Sequence, residues 1–389
     1  MSSHPASHLH SSSVPHRSQD VLYADIDLEL SWSERQLPQA ERTKHVHALH
    51  PYLGKYVPQL VEIFLRRYFA PGDRIYDPFV GSGTTLVEAN VFGCHAIGCD
   101  ISAFNCLLSS VKTAKYSLAA LELSLKGTLE DARRCRSWTE PSGDWLERWY
   151  APAALEELLT YRGAISRLDS PARQVAEVIL SRAARSARLT SHFDLDFPKA
   201  PIHGAYYCHK HKRTCRPVGE AAKFLRRYTV DTHRRLRAFA QVRKSRDVTV
   251  IHGDARTIDL PAKATGIITS PPYPGLIDYH EQHRCAYELL GLEDRSTFEI
   301  GAAARGLSRN ALSDYVQNMS AVLRNSACQL TAGAPIIVVV HDSKGLYPEI
   351  LERSDLELEE RITRHVNRRT GRRAGEFFED VLICRARRT

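Results

Sequence analysis

The chain contains no uninterrupted apolar run of about 18 residues, which excludes a conventional membrane-spanning helix. Residues 1–20 are rich in Ser and His and lack an apolar core, so they do not resemble a secretory signal, and we expect a disordered tail. The nine cysteines follow no regular framework. Together these absences predict a protein without a membrane partner that works in the reducing cytoplasm.

Most of the chain has no excess of positive residues, although the formal net charge is +8. Residues 201–247 hold 13 Lys or Arg and 3 Asp or Glu, so the rest of the chain is slightly acidic. A single basic segment favours a polyanion as partner. The alternative is an arginine-rich helix face that is merely solvated.

The apolar pattern of the first third alternates between strand and helix. It predicts strands over 74–79 and 95–100, and helices over 55–68, 85–93 and 101–116. This order begins a doubly wound parallel sheet, and the predicted fold class is α/β.

The alternation stops at residue 118 and resumes at 248. Residues 118–247 are mostly helical in pattern and rich in Arg and Leu, and 248–389 again show buried strands and a final hairpin. We therefore predict one sheet whose two halves, 21–117 and 248–389, are separated by a large, mostly helical insertion.

A glycine-rich loop, DPFVGSGTT, follows the first predicted strand. Gly81 and Gly83 permit a tight turn, and the next helix points its free N–H groups at a ligand. A phosphate-binding Walker loop is excluded because no Gly-Lys-Ser/Thr occurs here, and a dinucleotide fingerprint because its third glycine is Leu86. There remain a plain turn and a loop that binds S-adenosylmethionine, with Asp77 facing the ammonium group.

Two acids end neighbouring predicted strands. Asp100, 17 residues after Gly83, is placed to accept the hydroxyls of a ribose, although Asp also commonly caps helices. Asp254 is placed to meet an adenine amino group by the same geometry.

TSPPY, residues 269–273, follows another apolar strand. An exocyclic base amine is a poor nucleophile, and the Ser270 side chain and the Pro271 carbonyl can accept its hydrogens. The adjacent Pro271 and Pro272 fix the backbone, and Tyr273 can stack on a base that has left the duplex. The alternative is a structural Pro-Pro turn.

The segments HPYLGKYVPQL, DPFVGSGTTLVEA, GCDIS, GDAR and TSPPYPGLIDY together resemble the bacterial amino-methyltransferases of DNA, especially the cytosine-N4 group. The resemblance covers roughly residues 45–115 and 248–345. It implies a Rossmann-like class I methyltransferase sheet, S-adenosylmethionine as cofactor and double-stranded DNA as substrate. Its implied cofactor residues are Lys55, which would meet the methionine carboxylate, and Asp77, Pro78, Phe79, Gly81, Gly83, Thr84, Thr85, Asp100, Ile101 and Asp254. Its implied catalytic residues are Ser270, Pro271, Pro272 and Tyr273.

The resemblance also bears on the target base. Ser in the first position of SPPY is typical of cytosine-N4 enzymes and Asp of adenine-N6 enzymes, so adenine-N6 stays the alternative. Methylation at carbon 5 needs a thiolate, usually in a Pro-Cys pair, and the chain has none. RNA or protein methylation and an inactive DNA-binding protein remain further alternatives. A restriction-modification role, with a restriction enzyme as functional partner, is implied by the family.

The insertion is expected to hold much of the target-recognition region. Its predicted DNA contacts are Arg182, Arg185, Arg188, Lys212, Arg213, Arg226, Arg227, Arg234 and Arg235. Cys208, His209, His211 and Cys215 fit either a zinc site or a basic loop, and their unusual spacing leads us to assign no metal. Asp278 and His280 follow the SPPY motif, where a structural role is favoured over proton transfer.

Overall fold

The protein is described here by a computed structural model that covers residues 30–32, 35–135, 143–189, 200–208, 212–366 and 377–387. In these residues the strands β1–β9 are, in chain order, Arg74–Asp77, His95–Asp100, Tyr206–Cys208, Arg213–Cys215, Val248–His252, Gly266–Thr269, Ile336–Val340, Leu356–His365 and Phe378–Ala386. The helices α1–α13 are Gln39–Arg42, Pro58–Tyr68, Thr84–Phe92, Ala103–Thr113, Leu118–Arg134, Asp144–Trp149, Pro152–Ile165, Ala172–Ala187, Ala222–Ala240, Tyr279–Gln282, Arg284–Leu290, Arg309–Cys328 and Tyr347–Arg353.

Seven strands form one twisted sheet in the order β5-β2-β1-β6-β7-β9-β8. The first five of that order run parallel, and β9 pairs antiparallel with both β7 and β8. The order reverses direction at β1, so the carboxyl ends of β1 and β6 open a crevice of the kind where doubly wound sheets bind ligands. The predicted α/β, Rossmann-like sheet with a terminal hairpin is confirmed.

Local sequence signals explain where several of these elements begin and end. Helix α2 begins at Pro58, whose missing N–H costs nothing in a first turn. Helix α3 ends before Gly93, which has a φ of 101° that favours glycine. Strand β1 ends at Asp77, earlier than predicted, because the chain turns at Pro78. None of the described helices is long and apolar enough to cross a membrane.

The residues between α4 and β5 form a helical layer centred on α8, with a small β3–β4 hairpin. One hydrophobic cluster joins Phe104 and Leu108 of α4 to Ile179 of α8 and Phe239 of α9. The insertion is therefore helical, as predicted. Its hydrophobic core is continuous with the one around α4, a helix that packs on the sheet. The predicted boundaries of the insertion stay predictions, since this core crosses the first of them.

Helix α8 and its C-terminal cap carry three arginines that were predicted to follow a phosphate backbone, and the structure corrects this. Arg188 is only 1% exposed, and Arg185 is also buried. Arg182 Nη1 donates to Asp231 Oδ2 at 2.7 Å, and its guanidinium lies 4.2 Å from the ring centre of Tyr228. Because α8 is packed against α4, α5, α7, α9 and α11, the helical spacing of these arginines marks an interior face.

Candidate functional site

The loop after β1 depends on two glycines in left-handed conformations. Gly81 has a φ of 47° and Gly83 a φ of 77°. A Cβ at Gly81 would lie 2.9 Å from the Tyr52 hydroxyl, and one at Gly83 would lie 2.9 Å from Ser109 Oγ. The loop therefore lies directly against Tyr52 and α4, which only glycine permits.

Asp100, at the end of β2, is hydrogen-bonded to this loop. Its Oδ2 accepts from Gly81 N at 2.8 Å, and its Oδ1 accepts from Ser102 N at 2.9 Å and Asn105 Nδ2 at 3.1 Å. Burial raises the pKa of Asp100, while these three donors oppose the rise. The acid is thus held in one orientation, with its carboxylate facing a cleft.

This first cleft, lined by residues that follow β1, β2, β5 and β6, has an empty volume of about 810 Å³ with its open mouth included. It brings together eight of the eleven predicted cofactor residues: Lys55, Pro78, Phe79, Gly81, Thr84, Asp100, Ile101 and Asp254. The other three, Asp77, Gly83 and Thr85, do not line it.

Asp77 was expected to face an ammonium group, and the structure places it behind the cleft wall instead. It is 1% exposed. Its Oδ1 accepts from Thr269 Oγ1 at 2.7 Å and from Phe79 N at 3.1 Å. Burial raises the pKa of Asp77 to about 6. Thr85 donates to the Ile268 carbonyl at 3.2 Å, so both residues tie β1 and its loop to β6.

Lysine side chains approach the loop from two sides. Lys55 Nζ lines the first cleft and donates to the His47 carbonyl at 2.6 Å. Burial, assisted by the charge of Arg235, lowers the pKa of Lys55 to about 8. Lys112 is fully buried and donates to the Ser82 carbonyl at 2.5 Å. The cleft therefore offers a positive group that ionises near neutral pH.

Asp254 reaches the first cleft but is already engaged. Its carboxylate accepts from Arg256 Nε at 2.9 and 3.0 Å and from Arg256 N at 2.9 Å. Burial acts to raise the pKa of Asp254, but the bonds from Arg256 outweigh it and the pKa falls. The residue can still accept from a ligand, since each carboxylate oxygen has more than one lone pair.

Sequence reasoning missed a set of polar and aromatic residues on the far side of the first cleft. The rings of Tyr52 and Tyr279 stack with centres 5.7 Å apart. Glu299 accepts from the backbone N–H of Tyr279 at 3.2 Å and of His280 at 2.8 Å. Tyr52 lies inside the HPYLGKY segment and could have been found there, whereas Glu299 follows no strand and carries no local signal.

The SPPY tetrapeptide lies between this cleft and another. Ser270 and Pro272 line the first cleft, and Tyr273 lines the second. Pro272 O accepts from Tyr315 at 3.0 Å, and the Tyr273 hydroxyl donates to Glu379 Oε1 at 3.0 Å. The C-terminal half of the tetrapeptide is therefore held in place, at the point that separates the two clefts.

The second cleft has an empty volume of about 710 Å³, its mouth included, and an aromatic wall. The His341 ring centre lies 6.0 Å from that of Tyr273 and 4.2 Å from that of Phe377. Asp342 and Lys344 supply its charges. These residues follow β7 and precede β9, so the cleft opens at the same edge of the sheet as the first. Sequence analysis predicted only Tyr273 here.

Comparison with known proteins identifies the family of the chain. A family model described as DNA methylase, covering N6 and N4 methyltransferases, matches residues 11–110. The Type II methyltransferase M.MjaII of Methanocaldococcus jannaschii is 37% identical over 430 residues, which cover 89% of this chain and 81% of the relative. The chain belongs to the DNA methylase family. The Type II methyltransferase M.MvaI of Kocuria varians is 39% identical to the methylase over 82 residues, 20% of this chain and 18% of that protein.

Solved structures resemble the methylase more distantly. The rRNA methyltransferase aviRa of Streptomyces viridochromogenes is 12% identical, with a TM-score of 0.35 over 89% of this chain and 92% of that one. TrmN of Thermus thermophilus is 12% identical, with a TM-score of 0.32 over 86% of this chain and 50% of that one. Likenesses of this size support no assignment, and the fold rests on the strand order.

The cofactor of the methylase is S-adenosylmethionine. The first cleft has groups that fit this cofactor. The buried Lys55 amine suits a carboxylate, and the oriented Asp100 carboxylate suits hydroxyls. At Gly81 a Cβ would clash with Tyr52, so only glycine fits at this point of the cleft wall. No metal was assigned from the sequence, and the zinc alternative stays open. Cys208 is buried and Cys215 is partly exposed, while His209 and His211 lie outside the described residues.

The remaining predicted contacts of the methylase divide by exposure. Lys212, Arg213, Arg226 and Arg227 are exposed. Arg234 is exposed as well, whereas Arg235 is partly buried, and both donate to Asp231, at 2.5 and 2.9 Å. Arg235 also donates to the His45 carbonyl at 3.1 Å, which indicates a structural role that corrects its assignment to DNA.

The two polar residues after SPPY also have structural contacts. Asp278 Oδ1 accepts from Ala304 N at 3.0 Å, and His280 bonds through its ring to Glu299 and to Arg295 N. Both side chains are engaged in holding loops together. This supports the structural interpretation favoured for them.

Proposed function

We propose that the methylase transfers a methyl group from S-adenosylmethionine to N4 of cytosine at a specific site in duplex DNA, in the cytoplasm, with a restriction enzyme as functional partner. The observation that carries this proposal is the position of Ser270–Tyr273 between two clefts. One cleft has the polar set for a cofactor, and the other has an aromatic wall for a base that has left the duplex.

In the first cleft, the Asp100 carboxylate accepts hydrogen bonds from the ribose hydroxyls. The Lys55 ammonium group binds the carboxylate of the methionine part. Ile101 and Asp254 lie beyond Asp100, where they contact the adenine. Asp77 acts indirectly, since its bond to Thr269 fixes the strand that carries the tetrapeptide. S-adenosylmethionine supplies an electrophilic methyl group on its sulfonium.

In the second cleft, Tyr273 stacks on the target base and directs its amine back toward Ser270. The amine's lone pair is delocalised into the ring, so acceptors for its hydrogens are needed to free it. The Ser270 hydroxyl is one acceptor. The Pro271 carbonyl is the other, and no described residue donates a hydrogen bond to it. The amine is itself the nucleophile, so the protein forms no covalent bond: the nitrogen–methyl bond would form as the methyl–sulfur bond breaks, S-adenosylhomocysteine would leave, and the surplus amine proton would pass to solvent. Positioning and aligned acceptors supply the rate enhancement.

Adenine N6 is the second candidate, because the matching family model covers both N6 and N4 methylases. The same acceptors serve either amine. Ser at position 270, in place of Asp, favours cytosine.

Mass spectrometry of digested DNA from cells that express the chain tests the proposal. We expect N4-methylcytosine with the wild-type chain and strongly reduced amounts with Ser270→Ala. Thr331→Ala, at an exposed position beyond α12 and outside both clefts and the basic segment, is the control and should leave the level unchanged. Detection of N6-methyladenine would change the proposed target base but keep the proposed chemistry. Detection of 5-methylcytosine would refute that chemistry.

A further inference from the structure

Two leucines are exposed at the mouth of the second cleft. Leu307 is 49% exposed and Leu276 is 38% exposed, and both line this cleft beside Tyr273. Single exposed leucines are ordinary, but adjacent ones at the rim of a cleft mark a surface that meets a partner. Leu307 lies over Gly275, where an added Cβ would come within 2.8 Å of Leu307 Cδ2.

The loops that carry these leucines are bonded to each other. Gly275 N donates to the Gly301 carbonyl at 2.9 Å, and Ala304 N donates to Asp278 Oδ1 at 3.0 Å. Ser308 Oγ, next to Leu307, caps α12 by accepting from Ala311 N. The leucines are therefore presented in a fixed position before any partner arrives, which lowers the entropic cost of binding.

The exposed charges that flank Leu307 in the sequence are positive, although Arg305 also donates to the Thr297 carbonyl. Leu307 lies in the exposed sequence Arg305-Gly-Leu-Ser-Arg309, and the exposed Lys344 lines the same cleft. The acid of this cleft, Asp342, is occupied by the backbone N–H groups of Leu346 and Tyr347 at 2.8 and 3.0 Å. Cations flanking an apolar tip fit phosphates on either side of a base step.

We propose that Leu307, supported by Leu276, is a wedge that enters the DNA duplex and fills the space left by the target base. This inference rests on the proposed function, because only a flipped base leaves such a space. An apolar side chain in the gap replaces the lost stacking and slows the return of the base. Arg305, Arg309 and Lys344 hold the flanking phosphates.

The test compares Leu307→Ala with wild type on two duplexes containing the sequence that the wild-type chain methylates in expressing cells. In one duplex the target base is paired, and in the other it faces a mismatch and is already loosened. We expect kcat/KM to fall roughly tenfold on the paired duplex, because one leucine side chain would no longer become buried in the DNA. On the mismatched duplex the variant should be close to wild type. Leu307→Met should retain most activity on both.

The matched control is Leu358→Ala on β8, where the leucine is 43% exposed and pairs with Cys384, at the end of β9 that lies away from Phe377 and the second cleft. It should be unchanged on both duplexes. If Leu307→Ala lowered kcat/KM equally on paired and mismatched DNA, or not at all, the wedge would be overturned. The proposed methylase function would still stand. A wild-type chain that methylates no DNA would instead refute the proposed function, and the wedge with it.

Discussion

The two clefts beside the SPPY tetrapeptide are built differently. The first is formed where four parallel strands end, and its acids are bonded within the site, as Asp100 is to Gly81. The second is bounded by rings from the ends of β7 and β9 and by two exposed loops. A site whose polar groups are already oriented suits one small ligand of fixed shape. An aromatic site with a leucine rim suits a base delivered by a large, variable partner.

The largest expected effect that separates the clefts is Asp100→Ala. It removes one to two bonds to ribose hydroxyls, and affinity for S-adenosylmethionine should fall by about 2–4 kcal/mol. DNA affinity should not change, because Asp100 lies only in the first cleft. Titration calorimetry measures the affinity for the cofactor, and a DNA-binding assay measures the affinity for DNA. Asp100→Asn, which keeps one acceptor, should fall between. Unchanged cofactor affinity would remove Asp100 from the site.

Tyr273→Ala should give the opposite pattern. Loss of the stacking surface should reduce kcat/KM for DNA by the equivalent of about 1–3 kcal/mol, by analogy with base–aromatic stacking on single strands. Cofactor affinity should stay at the wild-type value. Tyr273→Phe is the control: it keeps the ring and loses the hydroxyl's bonds to Glu379 and Ser270, so most activity should return. A variant that loses cofactor affinity as well would show that the clefts are not independent.

Asp77→Asn tests the wall between the clefts. The folded-state pKa of Asp77, about 6, lies above its ordinary value of 3.8, so its contribution to stability is greatest below about pH 4 and is lost as pH rises to about 6. Asn keeps the acceptor for Thr269 without the buried charge. Above pH 6 the variant should therefore be more stable by up to about 3 kcal/mol, with the advantage vanishing near pH 4. Denaturant unfolding at the two pH values measures this, and a pH-independent difference would contradict it.

The smallest effect concerns Lys55, whose pKa is about 8. Its attraction for the methionine carboxylate is present below pH 8 and declines as pH rises through this value. The loss should be about 1 kcal/mol, roughly fivefold in cofactor affinity. Because the cofactor's own amine titrates too, Lys55→Met is the reference. Calorimetry at pH 7 and 9 should show a larger decline for wild type than for Lys55→Met, and equal declines would exclude the contact.

The sequence predicted those parts of the molecule that have a local signal. Pro58 and Gly93 punctuate helices, and Asp100 ends a strand that was predicted over its full length. The position of Asp77 could not be predicted, because its partner Thr269 lies 192 residues away. Arg188 shows a second limit: helical spacing is the same for a solvated face and for one buried under neighbouring helices.

The second cleft was unpredictable for a related reason. His341 directly follows β7 and Phe377 directly precedes β9, two strands that become neighbours only in the folded sheet. Neither residue type is unusual where it stands. A histidine after a buried strand becomes informative only once that strand is known to end beside SPPY.

The pairing of β1 with β6 has a consequence for synthesis on the ribosome. At 5–20 residues per second, the tetrapeptide after β6 is made on the order of 10–40 s after the loop beyond β1. During that interval α4 and the insertion can already share their core, while one edge of β1 has no neighbour. A nascent chain therefore makes the glycine loop and Asp100 well before the residues after β5 and β6 that close the first cleft, and both clefts are completed only with the final third of the polypeptide.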